Sequence, residues 1–117
     1  MLENYKNFLG DRHLKDSTNA DIFLSAKAIK HFENRPLKEV ASRLKYTNTI
    51  DDVIKNSDEI WKHNSNSANE FRYYYLKKYN KNVCVIAYVD NGSLEYFNMF
   101  NTKNKYMNSQ RKGVFIK

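Results

Sequence analysis

The chain has 117 residues, is 41% hydrophobic and 28% charged, and carries a formal net charge of +7, a balance that fits one ordinary globular domain. A chain of this length buries roughly two thirds of its unfolded surface and needs no staple. Cys84, the only cysteine, excludes an internal disulfide and reads as a small buried hydrophobe in "VCVIAYV". No apolar stretch approaches the roughly 18 residues of a membrane span, and no signal-peptide core opens the chain. Residues 1–20 are expected as an extension or linker helix and residues 21–117 as a single domain.

Residues 3–15 predict a loose amphipathic helix with Tyr5, Phe8 and Leu9 inward, ended near Gly10. "DSTNAD" offers turns, Ile22–Leu24 a short extended piece, and Ser25 the N-cap of a helix reaching about Asn34. On that helix Lys27, His31 and Arg35 fall one turn apart, with Ala28, Ile29 and Phe32 toward the core. Pro36 disfavours helical geometry at Arg35 and opens a second helix, "PLKEVASRLKY", striped by Leu37, Val40, Ala41 and Leu44. Thr49 and Asp52 are spaced as a capping box for a third helix bearing Ile50, Val53 and Ile54. Asp51 and Asp52 read as acidic capping at that helix start. Ser57 then caps a further short turn in which Ile60 and Trp61 pack.

Beyond residue 70 the texture becomes extended. "EFRYYYLKKY" alternates, placing Phe71, Tyr73 and Tyr75 on one face and Arg72, Tyr74, Leu76 and Lys78 on the other. "NVCVIAYV" and "SLEYFNMFN" are strands joined by Asn91-Gly92, the preferred centre of a type I′ hairpin. That turn sets Val89 opposite Leu94, Ala87 opposite Tyr96 and Val85 opposite Asn98. A basic loop with Lys103, Lys105, Arg111 and Lys112 leads to a last short strand, "VFIK". The expected fold is α+β, with N-terminal helices packed on a four- to five-stranded antiparallel sheet.

The charge is uneven. Residues 1–69 hold 11 Lys/Arg against 10 Asp/Glu, whereas residues 70–117 hold 9 against 3, which points to a polyanionic partner for the second half. Tyrosines and phenylalanines interleaved with cations suit RNA, whose unpaired bases stack on rings while its phosphates meet cations. The bland reading is an AT-rich genome, which raises Lys, Asn, Tyr and Ile without functional cause.

His13, His31 and His63 form no metal-ligand spacing with each other or with Cys84, so no metal site is expected. The absence of a phosphate loop, a GxSxG elbow and a dinucleotide fingerprint argues against nucleotide cofactors and hydrolase triads. Acid–base chemistry on a phosphodiester fits what remains: a group titrating near neutrality and fixed cations for the charge on phosphorus. RNA supplies its own nucleophile, the 2′-OH. Lys27, His31 and Arg35 meet that requirement, and the flanking cations favour a neutral imidazole. On the sheet, Arg72, Tyr74 and Lys78 share one face, Tyr96 and Asn98 are candidates on the strand after the hairpin, and Arg111 and Lys112 precede the last strand. His13 and His63 read as surface residues.

The order "IFLSAKAIKHFENR", "IDDVIKNSDEIWKH", "FRYYYLKKY", "VCVIAYV", "LEYFNMF", "RKGVFIK" resembles the barnase–EndoU–colicin–RelE-type nucleases in their phage and polymorphic-toxin branches, over about residues 22–117. The resemblance implies a metal-independent endoribonuclease without cofactor, the toxin domain of a bacterial or phage competition system, with tRNA the favoured substrate. It matches His31 to a helix histidine and Arg35 to the basic residue after it. Tyr96, Phe97, Asn98 and Met99 stand where relatives often carry a catalytic Thr. With the residue-level reading it gives a catalytic set of His31, Arg35, Arg72, Tyr96 and Asn98. The RNA-binding set is Lys27, Tyr74, Lys78, Lys103, Lys105, Arg111 and Lys112. The likeness also implies a cognate acidic immunity protein and action in a target cell's cytoplasm, with delivery inside a longer secreted protein as one route. A non-catalytic nucleic-acid-binding or adaptor protein using the same basic, aromatic sheet is the alternative.

Overall fold

A computed structural model describes residues 2–64, 71–79, 82–90, 93–103 and 107–117. Helix α1 (Leu2–Leu9) stops at Gly10, whose φ of +61° suits a residue without Cβ, and whose N–H donates to the Lys6 carbonyl. Strands β1 (Arg12–Lys15) and β2 (Asp21–Leu24) form a hairpin. A 3₁₀ helix, Ala26–His31, follows, then α2 (Leu37–Leu44) and α3 (Ile50–Lys55). Strands β3 (Glu59–Asn64), β4 (Phe71–Lys78), β5 (Asn82–Asp90), β6 (Ser93–Thr102) and β7 (Val114–Phe115) complete the chain.

The fold is α+β as expected, but its sheet is larger and mixed. Seven strands run in the order β1-β2-β6-β5-β4-β3-β7, and β2 lies parallel to β6 through Ile22–Leu94 and Phe23–Glu95. Part of one expected helix and one expected turn are strands. The second half of 3–15 is β1, drawn into a hairpin with β2. "EIWKHN", read as a capped turn, is β3, because its backbone groups pair with both β4 and β7. The Asn91-Gly92 turn and Lys105 lie outside the described residues.

One face of the sheet carries the main core. Tyr5 and Leu9 of α1, Phe32, Val53 and Ile54 pack there on Tyr75, Val85, Tyr96 and Met99, all at most 2% exposed. Residues 2–15 thus contribute to the same core as the later strands. Each such aliphatic or aromatic burial is worth roughly 1.5–3 kcal/mol. Asp16 is anchored beneath this core, accepting bonds from the Thr18 and Ala20 N–H groups, the Thr18 hydroxyl and the Tyr75 hydroxyl. Leu76, Cys84, Ile86 and Met107 point to the second face, with Trp61, Tyr74, Phe97 and Phe100 packed around them.

The expected β4 alternation holds, with Tyr73 and Tyr75 toward the main core and Tyr74 and Leu76 away from it. The β5–β6 register holds only near the hairpin. Val89 faces Leu94 and Ala87 faces Tyr96, but Val85 faces Met99 rather than Asn98, because β6 carries one extra residue at Phe97–Asn98. This bulge turns Phe97 and Phe100, three positions apart, onto one face, whereas unbroken alternation would oppose them.

The acidic pair behaves differently from its expected capping role. Thr49 makes no side-chain cap and donates instead to the Tyr46 carbonyl. Asp51 takes a two-pronged bond from Arg12, and Asp52 accepts the Tyr79 hydroxyl. Both carboxylates tie α3 to other elements. Leu37, expected inward, is 71% exposed, and Val40 alone of the α2 stripe is fully buried.

Candidate functional site

The Ser25 hydroxyl caps the 3₁₀ helix by accepting the Lys27 N–H at 3.2 Å, and Asp11 accepts the Ala26 N–H at 2.9 Å. Three residues per turn, not 3.6, changes which side chains align. His31 shares its side of the helix with Ala28, which is buried, while Lys27 and Lys30 align with each other and are exposed. The Lys27–His31 stacking expected from an α-helix is therefore absent.

The His31 ring lies on Phe97, centroids 3.9 Å apart at 55°. Arg72, from the middle of the sheet, sets its guanidinium carbon 4.7 Å from the same ring's centroid, and Tyr88 meets Phe97 edge-on at 5.5 Å. Arg35 donates through Nε to the His31 carbonyl at 2.7 Å and through Nη1 to Glu39 Oε1 at 2.7 Å. His31 is held below the usual histidine range, first by burial, then by Arg35 and Arg72. A neutral imidazole flanked by two permanent cations can take a proton while the cations hold an anion. Beside it opens a cavity of about 760 Å³, with Lys27, His31, Tyr88, Glu95 and Asp11 on its walls.

Tyr96 stands among the residues around that cavity but is buried, and Asn98 is not among them. Tyr96 is 1% exposed, and its hydroxyl bonds that of Tyr5 at 2.6 Å within the main core, where burial raises its pKa. Asn98 is 6% exposed and uses Oδ1 to accept the Met99 N–H at 2.8 Å and Arg43 Nη1 at 3.3 Å. Both are shielded from solvent. The bulge swings Phe97 toward His31 and leaves Asn98 holding Arg43.

The basic residues named from the sequence divide into two groups. Tyr74 lies on the Arg72 face, where His63, half-buried rather than exposed, stacks on it at 3.8 Å and bonds the Gln110 carbonyl. Lys78 is six residues from Arg72 along β4, about 20 Å at strand rise. It lines a separate cavity of about 320 Å³ with Arg111, Asp58 and Glu59. Arg111 is closed there by a two-pronged bond to Glu59 and a third to Asn108. Lys103 and Lys112 are exposed, after β6 and before β7 respectively. His13 is exposed and pairs with Asp21 at 2.7 Å. Among the described residues no three His, Cys, Asp or Glu side chains are grouped to hold a metal ion, and no helix is long and apolar enough to cross a membrane.

Phe97, Tyr88, Glu95 and Arg43 escaped the sequence reading. Phe97 follows the alternation set by the hairpin, but nothing in the sequence tied it to His31. Arg43 was absorbed into an amphipathic helix, although its i,i+4 spacing from Glu39, itself four residues after Arg35, was visible.

A histidine thus lies near two arginines over an aromatic ring of an α+β sheet. The chain belongs to the PBECR2 family, the phage-Barnase-EndoU-ColicinE5/D-RelE like nuclease2 proteins, whose family model matches residues 2–116. It matches no curated protein and no solved structure. Membership gives the chain a nuclease relationship and a nucleic-acid substrate.

Proposed function

We propose that this protein is a metal-independent endoribonuclease acting at the His31–Arg72–Phe97 cluster. The observation that carries the reading is a histidine with depressed basicity standing between Arg35 and Arg72 beside an open cavity. His31 takes the proton of the RNA 2′-OH as the 2′-oxygen attacks the adjacent phosphorus. The bond from phosphorus to the 5′-oxygen breaks, and that oxygen leaves with a proton from solvent, so the products are a 2′,3′-cyclic phosphate and a 5′-hydroxyl end. Arg35 and Arg72 offset the charge that accumulates on the phosphorane. Tyr88, on the cavity wall, offers a ring to an unstacked base, and Phe97 holds His31 and Arg72 together behind it.

tRNA is the favoured substrate, and a toxic role in bacterial or phage competition follows from the same family likeness. An acidic immunity protein covering the cavity belongs to this reading, given the basic second half of the chain. The test is incubation of the protein with total tRNA in EDTA beside His31→Ala. Wild type should cleave, and the variant should lose about 10²–10⁴-fold in rate. Cleavage by neither protein sinks the nuclease reading. Equal cleavage by both removes His31 from the site. Salt-sensitive binding without cleavage favours the non-catalytic adaptor.

A further inference from the structure

The bulge in β6 creates a second aromatic–cation pairing beside the first. Phe97 has Arg72 over it at 4.7 Å, and three residues on, Phe100 has Arg43 at 6.0 Å from its centroid. Both rings belong to the face away from the main core. Three strand residues cover about 10 Å at 3.3 Å each, within reach of one splayed nucleotide. Phe100 and Arg43 line their own groove, about 530 Å³, with Lys38, Ser42 and Asn101 on its walls.

Arg43 is held in place there. Glu39 Oε1 accepts its Nη2 at 2.8 Å while accepting Arg35 Nη1 at 2.7 Å, and Asn98 Oδ1 accepts its Nη1 at 3.3 Å. One carboxylate oxygen thus holds two guanidiniums together against their mutual repulsion. A guanidinium carries five N–H donors, and among the described residues these two bonds leave others for an anion. Exposed Lys38 adds a further cation on the same wall.

We propose that the Arg43–Phe100 groove is a second nucleotide subsite of the nuclease. It binds the nucleotide next to the cleaved bond, base on Phe100 and phosphodiester on Arg43 and Lys38. The inference rests on the nuclease reading above and adds to it where the RNA strand runs: along β6, from Phe97 toward Phe100, with Glu39 linking the two arginine positions.

The test compares wild type, Phe100→Leu and Lys38→Ala on RNA dinucleotides and on trinucleotides extended by one residue on either flank. Phe100→Leu keeps an apolar contact with the core while removing the ring, and thermal melting checks that both variants fold. The proposal expects extension on one flank to raise wild-type kcat/KM, and Phe100→Leu to cut that gain about tenfold, as loss of one base–aromatic stack does. Lys38→Ala should cut it less. The same oligonucleotides with 2′-O-methyl riboses cannot be cleaved, so their equilibrium affinities read the subsite even if the nuclease reading fails. An unaltered length gain in folded Phe100→Leu, in both rate and affinity, overturns the subsite. Absence of cleavage by wild type, with a length gain in affinity that Phe100→Leu loses, overturns the nuclease reading and leaves the subsite standing.

Discussion

His31 owes its chemical character to three neighbours that come from distant parts of the chain. Burial against Phe97, the Arg35 guanidinium and the Arg72 guanidinium all disfavour the imidazolium. A general base with lowered basicity stays competent in mildly acidic solution, so the acid limb of kcat/KM should fall below the ordinary histidine value of about 6.5. Arg72→Gln removes one source of that depression and should shift the limb to higher pH while lowering the plateau. A limb that stays in place in the variant would show that Arg72 does not act on His31. Stability follows the same sign: the folded state resists protonation of His31, so its contribution is lost as pH drops through and below about 6.5. His31 and Arg35 were legible as residues because Ser25 and Pro36 delimit their segment. Arg72 was already named beside them from its strand face, but Phe97, the ring that both His31 and Arg72 meet, was not, since that contact forms only through the packing of β4, β5 and β6.

At the level of elements, local signals located most segments and mistook two. β3 begins at Glu59, right after Ser57 and Asp58, and the three together resemble the acidic start of a helix. Its strand state comes from pairing on both edges, a non-local cause that no short window contains. The parallel contact of β2 with β6 joins residues about seventy positions apart and is equally invisible locally. β7 depends on one glycine. Gly113 has φ +81°, and a Cβ there would collide with the Lys62 backbone carbonyl. Gly113→Ala should therefore lift β7 from β3 and destabilise the protein by more than about 1 kcal/mol. Trp61, the only tryptophan, has the Phe115 ring 5.1 Å away, so its emission should shift to the red. An unchanged spectrum and melting temperature would mean that the turn does not hold β7.

Across the whole molecule, charge and aromatic surface are distributed unequally. The main-core face is sealed by α1, the 3₁₀ helix and α3, whereas the other face shows Tyr74, Phe97 and Phe100 with arginines over two of them. Composition indicated this partner class because excess cations among aromatic residues survive any folding. It did not indicate that Lys78 and Arg111 would gather at a second place, away from His31. If Lys27, Arg35, Arg43 and Arg72 each meet one phosphate, single-stranded RNA affinity should fall about 50-fold between 50 and 200 mM salt, at a slope near −0.7 per contact. A salt-independent affinity in a filter-binding series would refute the electrostatic account. On the second face lies Cys84, fully buried, its thiol pushed upward in pKa by burial. A thiol reagent reaches this sulfur only after the side chains packed over it on that face, Met107 among them, move aside, so the native chain carries its own clock. The rate at which Cys84 is modified reports how often this second cluster opens.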